Sequence, residues 1–136
     1  MTPNEKTAVT GSISENSIAG ARVQVTIQED GTPKPPQLPP GTITRKLLGT
    51  DRTTYYVVTL DHPVSCIRAK TREEWTLRTL VVAPKFQGTM LEKIYSPGKS
   101  YIHVGIANVL TPLEDDNPIL DFSRVVYFAT GTVGKL

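Results

Sequence analysis

The chain has 136 residues, 38% of them apolar, with a formal charge of +2, eleven prolines, ten glycines and one cysteine. That length suits one domain whose core needs neither disulfide nor metal, and so many prolines and glycines exclude a chain of long helices. The small net charge does not by itself point to nucleic acid, and no apolar run approaches the 18 residues of a membrane span.

Residues 1–20 are polar and predict an N-terminal arm, or an edge strand through the weak alternation of Thr7 to Ile13. Residues 21–136 predict a single domain. Ala21 to Glu29 reads as a strand, with Val23, Val25 and Ile27 on one face and Arg22, Gln24, Thr26 and Gln28 on the other. Asp30 to Pro40 then holds five prolines in eight residues, which force an extended polyproline path. It reads as a stiff connection between strands. Pro36-Gln37-Leu38-Pro39 also has the spacing of a proline-motif ligand.

Gly41 to Val64 is the clearest structural signal. Ile43, Arg45 and Leu47 alternate with Thr42, Thr44 and Lys46, a polar turn follows at Gly49 to Arg52, and Thr54 to Leu60 is almost wholly β-branched or aromatic. The pattern predicts a hairpin whose second strand ends at Pro63. Period two puts Tyr56, Val58 and Leu60 on one face and Tyr55, Val57 and Thr59 on the other. Two apolar faces predict a central strand.

Val64 to Ile67 allows the strand to continue, and Lys70 to Thr76 reads as a helical turn or an exposed loop. Leu77 to Ala83 is a strand stopped by Pro84. Met90 to Tyr95 is a helical turn or short strand, and Ser96 to Lys99 a turn. From Ser100 to Leu110, Ile102, Val104 and Ile106 share one face while Tyr101, His103, Gly105 and Ala107 share the other. Leu113 to Asp121 is acidic, Arg124 to Thr132 is β-rich, and Gly131 and Gly134 mark a frayed end.

No helical period lasts ten residues. The expected fold is all-β, a single antiparallel small barrel with under about 15% helix, against the usual third. A barrel hides its sheet edges. The predicted core is Val23, Val25, Ile27, Ile43, Leu47, Tyr56, Val58, Leu60, Leu80, Val82, Ile102, Val104, Ile106, Val126 and Phe128. The strand Ala21 to Glu29, a long loop, Gly41-Thr42-Ile43 and Tyr55 to Asp61 together resemble an SH3-like small barrel of the Tudor or KOW kind. The resemblance covers residues 21 to 64 and implies a binding role.

Chemistry-bearing constellations are sparse. Asp61-His62-Pro63 invites a catalytic base, but its sequence neighbours Ser65 and Cys66 point to opposite faces of a strand. The simpler reading is a strand-end turn in which Asp61 bonds the backbone. His62, Cys66 and His103 lack the paired spacing of a zinc site. The glycines at 105, 131 and 134 lack a phosphate-loop pattern, and Glu114, Asp115, Asp116 and Asp121 lack that of a calcium loop. No catalytic residue, cofactor or metal is therefore expected.

Charge is unevenly spread. Gly41 to Lys85 carries eight Lys/Arg against four acids, whereas Leu113 to Asp121 carries four acids and no base. The candidate binding surface is Lys46, Arg52, Tyr55, Arg68, Lys70, Arg72 and Trp75. The expected function is a non-catalytic interaction or assembly module that binds a protein partner or itself, with salt suppressing self-association. The alternatives are a nucleic-acid-binding small barrel using those cations with aromatic stacking, and an enzyme of unidentified class. One cysteine and no apolar leader suggest the cytoplasm.

Overall fold

The computed structural model describes residues 18–28, 37–68, 71–86, 88–113 and 115–136. The expectations for the N-terminal arm, most of the proline connection, Lys70 and Glu114 lie outside them. The fold is all-β. Its strands are β1 (Arg22–Gln28), β2 (Gly41–Gly49), β3 (Thr54–Ile67), β4 (Glu74–Pro84), β5 (Tyr101–Val109), β6 (Ile119–Leu120) and β7 (Val125–Lys135). Among the described residues there is no α-helix, only 3-10 turns at Leu91–Tyr95 and Phe122–Arg124.

All seven strands belong to one sheet, in the order β1-β7-β5-β4-β3-β2-β6. Every pairing is antiparallel except that of β6, which lies parallel beside Leu48 and Gly49 of β2. β1 also pairs with β2, through Arg22 opposite Thr42 and Val23 opposite Gly41. That short seam closes the ladder into a ring, but an uneven one, and not a regular barrel.

The inner face holds the main core. Val23, Val25, Ile27, Ile43, Tyr56, Val58, Leu60, Leu80, Val82, Ile102, Val104, Ile106 and Phe128 are buried together, as their alternation predicts. Ile18, Leu91 and Ile94 join them from outside the strands. Val126 is only half-buried. β3 is central, between β2 and β4, and its second face is buried too.

Bulges account for most departures from simple parity. Ile43 pairs with Val58 but Arg45 with Val57, so Thr44 is an extra residue on β2. The inserted residue flips the rest of the strand. Leu47 therefore leaves the inner core and packs outside with Val57, Val81, Leu113 and Leu120, and Lys46 comes to the inner side opposite Tyr56. Arg45, on the outer side, donates to the carbonyls of Leu113, Asp115 and Asn117 at 2.7, 2.8 and 2.9 Å. A second irregularity falls between Thr59 and Val64, and it absorbs Pro63, which has no ladder donor to lose there. β3 consequently runs on to Ile67. The turn after it carries Arg72 at a φ of 63°, and β4 begins at Glu74, so Trp75 and Thr76 are strand residues and not a helical turn.

The C-terminal glycines also differ from expectation. Both lie within β7, with Gly131 opposite Ile27 and Gly134 opposite Gln24. A Cβ on Gly131 would stand 1.8 Å from the carbonyl oxygen of Thr26. Only a residue without a side chain lets β1 lie this close to β7.

Gly131→Ala should therefore destabilise the protein by about 3 kcal/mol or more. At Gly105 an added Cβ would meet only Tyr127, at 3.9 Å, and Gly105→Ala should shift stability by less than about 1 kcal/mol. Val58→Ala, in the sealed core, should cost roughly 1–3 kcal/mol. Urea unfolding of the three variants tests this order.

Candidate functional site

The structure divides the predicted basic surface. Arg52 is exposed in the β2–β3 turn at a φ of 67°. Close by, Tyr55 stands edge-on to Phe122, with ring centroids 5.6 Å apart, and its hydroxyl donates to Asp51 at 2.8 Å. Burial and that carboxylate push the Tyr55 phenol up to about 12. At the other end of β3, the Arg68 guanidinium lies 4.4 Å from the Phe128 ring centre and 5.7 Å from that of Trp75. Arg72 is exposed in the turn beside them. β3 has 14 residues, so the two groups stand on the order of 40 Å apart at the usual strand rise.

Lys46 joins neither group. Its Nζ donates to Glu92 at 2.7 Å, and Tyr56 donates to the other oxygen of the same carboxylate at 2.7 Å. Burial pushes the Glu92 carboxyl up, but these two donors outweigh it and hold it below its ordinary 4.5. Burial and Glu92 raise the Tyr56 phenol. Leu91 and Ile94, on either side of Glu92 in the same 3-10 turn, are buried. This polar knot fixes that turn against the inner core.

The Asp61 constellation has a structural role. Arg22 grips Asp61 in a two-pronged pair at 2.7 and 2.6 Å and also bonds Thr42 at 2.8 Å, which ties β1 to β3 across the seam. The bond to Arg22 lowers the Asp61 carboxyl. His62 is exposed, Ser65 donates to Glu74 at 2.7 Å, and Cys66 is buried. Among the described residues, no three His, Cys, Asp or Glu side chains gather as a metal site would require, and no helix is long and apolar enough to cross a membrane.

A more coherent surface lies on the outer face of β5 and β7. Tyr101 is 58% exposed, Tyr127 61% and Phe86 63%. Tyr101 and Phe86 both stand edge-on to His103, at 5.8 and 6.5 Å between centroids. Gly105 leaves a flat floor between His103 and Tyr127. The backbone N–H of Lys85 donates to the carbonyl of His103, and Lys99 stands two residues before Tyr101. From Lys85 to Val109 the only acid is Glu92, already bound to Lys46.

Comparison with known protein families, curated proteins and solved structures returns no match.

The aromatic face was within reach of the sequence. The alternation that puts Ile102, Val104 and Ile106 inside puts Tyr101 and His103 outside. Phe86 carries no such signal, since it follows a strand, whereas the placing of Val126 and Phe128 in the predicted core puts Tyr127 outside, next to the extra residue of a bulge. That bulge sets Ile106 opposite Ala129 but Ala107 opposite Tyr127, turning Phe128 inward and leaving Tyr127 out.

Because the Glu92 carboxyl is lower folded than unfolded, its stabilisation is complete above about pH 4.5 and is lost as pH falls through the folded value. Glu92→Gln should cost about 1–3 kcal/mol at neutral pH. It should also flatten the decline in Tm between about pH 5 and pH 3. Parallel acid limbs in thermal melts of the two proteins would contradict the assignment.

Proposed function

We propose that the chain is a non-catalytic interaction module that docks an apolar protein surface on the outer face of β5 and β7, a second copy of itself first among the candidates. The observation that carries this reading is an outer face on which Tyr101 and Phe86 flank His103 and Tyr127 follows across Gly105, each of the three rings more than half exposed. Rigid aromatics supply large contact area at little entropic cost and mark interaction surfaces. In this reading the uneven ring is a small barrel of the SH3-like kind that the sequence resembles, working in a reducing cytoplasm with Cys66 as a core residue.

The proposed driving force is apolar contact, not charge pairing. Asp115 is paired with Arg124 at 2.9 Å, and Asp121 accepts from the backbone and hydroxyl of Ser123 at 3.0 and 2.7 Å. Two acids of the segment are thus already engaged within the chain. One observation favours a second reading, single-stranded nucleic acid. Lys85 and Lys99 flank aromatic rings that stack on bases as readily as on protein.

Sedimentation velocity at rising concentration, at low and high salt, tests the first reading. Wild-type protein should self-associate at both salts, and Tyr101→Ser with Tyr127→Ser should abolish this without altering the circular dichroism spectrum. A monomer at every concentration would overturn self-docking. Micromolar binding of an oligonucleotide, with a steep salt slope, would put the nucleic-acid reading in its place.

A further inference from the structure

The chain between β5 and β7 leaves the ring, crosses the outer face of the sheet and returns. Leu113 and Leu120 fill part of the space beneath it with Leu47, Val57 and Val81. The remaining space is a groove of about 820 Å³, within the size range of small-molecule sites. Its lining mixes threonines, Arg78 and acids with Val57, Val109, Leu110, Pro112 and Leu113, and it is open to solvent, with Arg78 itself exposed.

The groove exists because of two local features. Arg45 holds the crossing chain by three backbone carbonyls, so that chain forms a fixed wall. On the sheet side, the irregularity after Thr59 sets Thr59 opposite Thr79 and leaves Arg78 beside the gap. Thr59, Thr76 and Thr79 line the groove, and none of their hydroxyls has a hydrogen-bond partner among the described residues. Arg78 donates its Nε to the carbonyl of Leu60 at 2.8 Å. That bond orients the guanidinium plane and leaves both terminal nitrogens without a hydrogen-bonded carboxylate among the described residues. The acid whose charge Arg78 feels, Asp61, has both oxygens bound by Arg22. The other two arginines near this wall are occupied, Arg45 by carbonyls and Arg124 by Asp115 and Thr111.

We propose that this groove is a binding site for a small carboxylate- or phosphate-bearing polar molecule, held by the Arg78 fork and the threonine hydroxyls. A planar guanidinium with two terminal nitrogens presented together matches the two oxygens of such a group. The flanking hydroxyls supply further donors. Asp115 and Asp116 on the crossing wall repel any anion near them, which confines the ligand's anionic group to the Arg78 side of the groove. Asp116, which has no hydrogen-bond partner among the described residues, favours a ligand whose far end carries a hydroxyl or ammonium donor. The site does not depend on the aromatic face.

The test is a nitrogen-15 NMR titration of the full chain with inorganic phosphate and, separately, succinate, with sodium chloride holding ionic strength constant. Saturable shifts are expected at Thr59, Arg78, Thr79 and Thr111. The anion that produces them distinguishes a phosphate-bearing from a carboxylate-bearing ligand. Arg78→Gln should weaken binding about ten-fold or more, and Thr79→Val should weaken it several-fold. Tyr101→Ser should leave it unchanged. Shifts that sodium chloride alone reproduces, or an affinity that Arg78→Gln leaves intact, would overturn the proposal.

Discussion

The molecule depends on the seam at which β1 closes the sheet. β1 is held on one side by β7 along six residue pairs and on the other by β2 along only two. The strong side demands the missing side chain of Gly131. The weak side is reinforced by Arg22, which spans Thr42 of β2 and Asp61 of β3. With the seam shut, Val23, Val25 and Ile27 complete the buried inner core.

The outer face is itself divided. Over β2, β3 and the far half of β5, the chain between β5 and β7 provides a second layer, anchored by Leu113 and Leu120 and fastened by Arg45. Over the near half of β5 and the adjoining part of β7 no other described segment lies on the sheet, and the aromatic side chains there are exposed among the described residues. The covered half borders an open groove of mixed lining, whereas the other half presents exposed aromatic rings around His103. The two proposed sites therefore lie on different parts of the outer face.

Bulges produce this division. Without the extra residue at Thr44, Leu47 would point inward and Lys46 outward, and the outer layer would lose its anchor on β2. Without the extra residue at Phe128, Tyr127 would turn toward the core. The irregularity after Thr59 keeps β3 in the sheet past Pro63 and leaves Arg78 facing the groove. Each is a local insertion that redirects every side chain beyond it.

The all-β class, the central place of β3 and most of the inner core were legible in the sequence, because period-two alternation is a local property of each strand. Ile102, Val104 and Ile106 are legible for that reason, and so is the outward face of Tyr101 and His103. Tertiary structure alone decided the rest. Lys46, Arg52, Tyr55, Arg68, Arg72 and Trp75 are near in sequence, but the length of β3 separates most of them in space, and a bulge sends Lys46 inward to Glu92. The frayed look of Gly131 and Gly134 concealed a ladder position, because the need for glycine comes from Thr26, about a hundred residues away along the chain. Arg78 and Thr79 gave no signal at all. Their significance arises only when a wall more than thirty residues later folds back over them, and alternation along one strand carries no record of what will cover it.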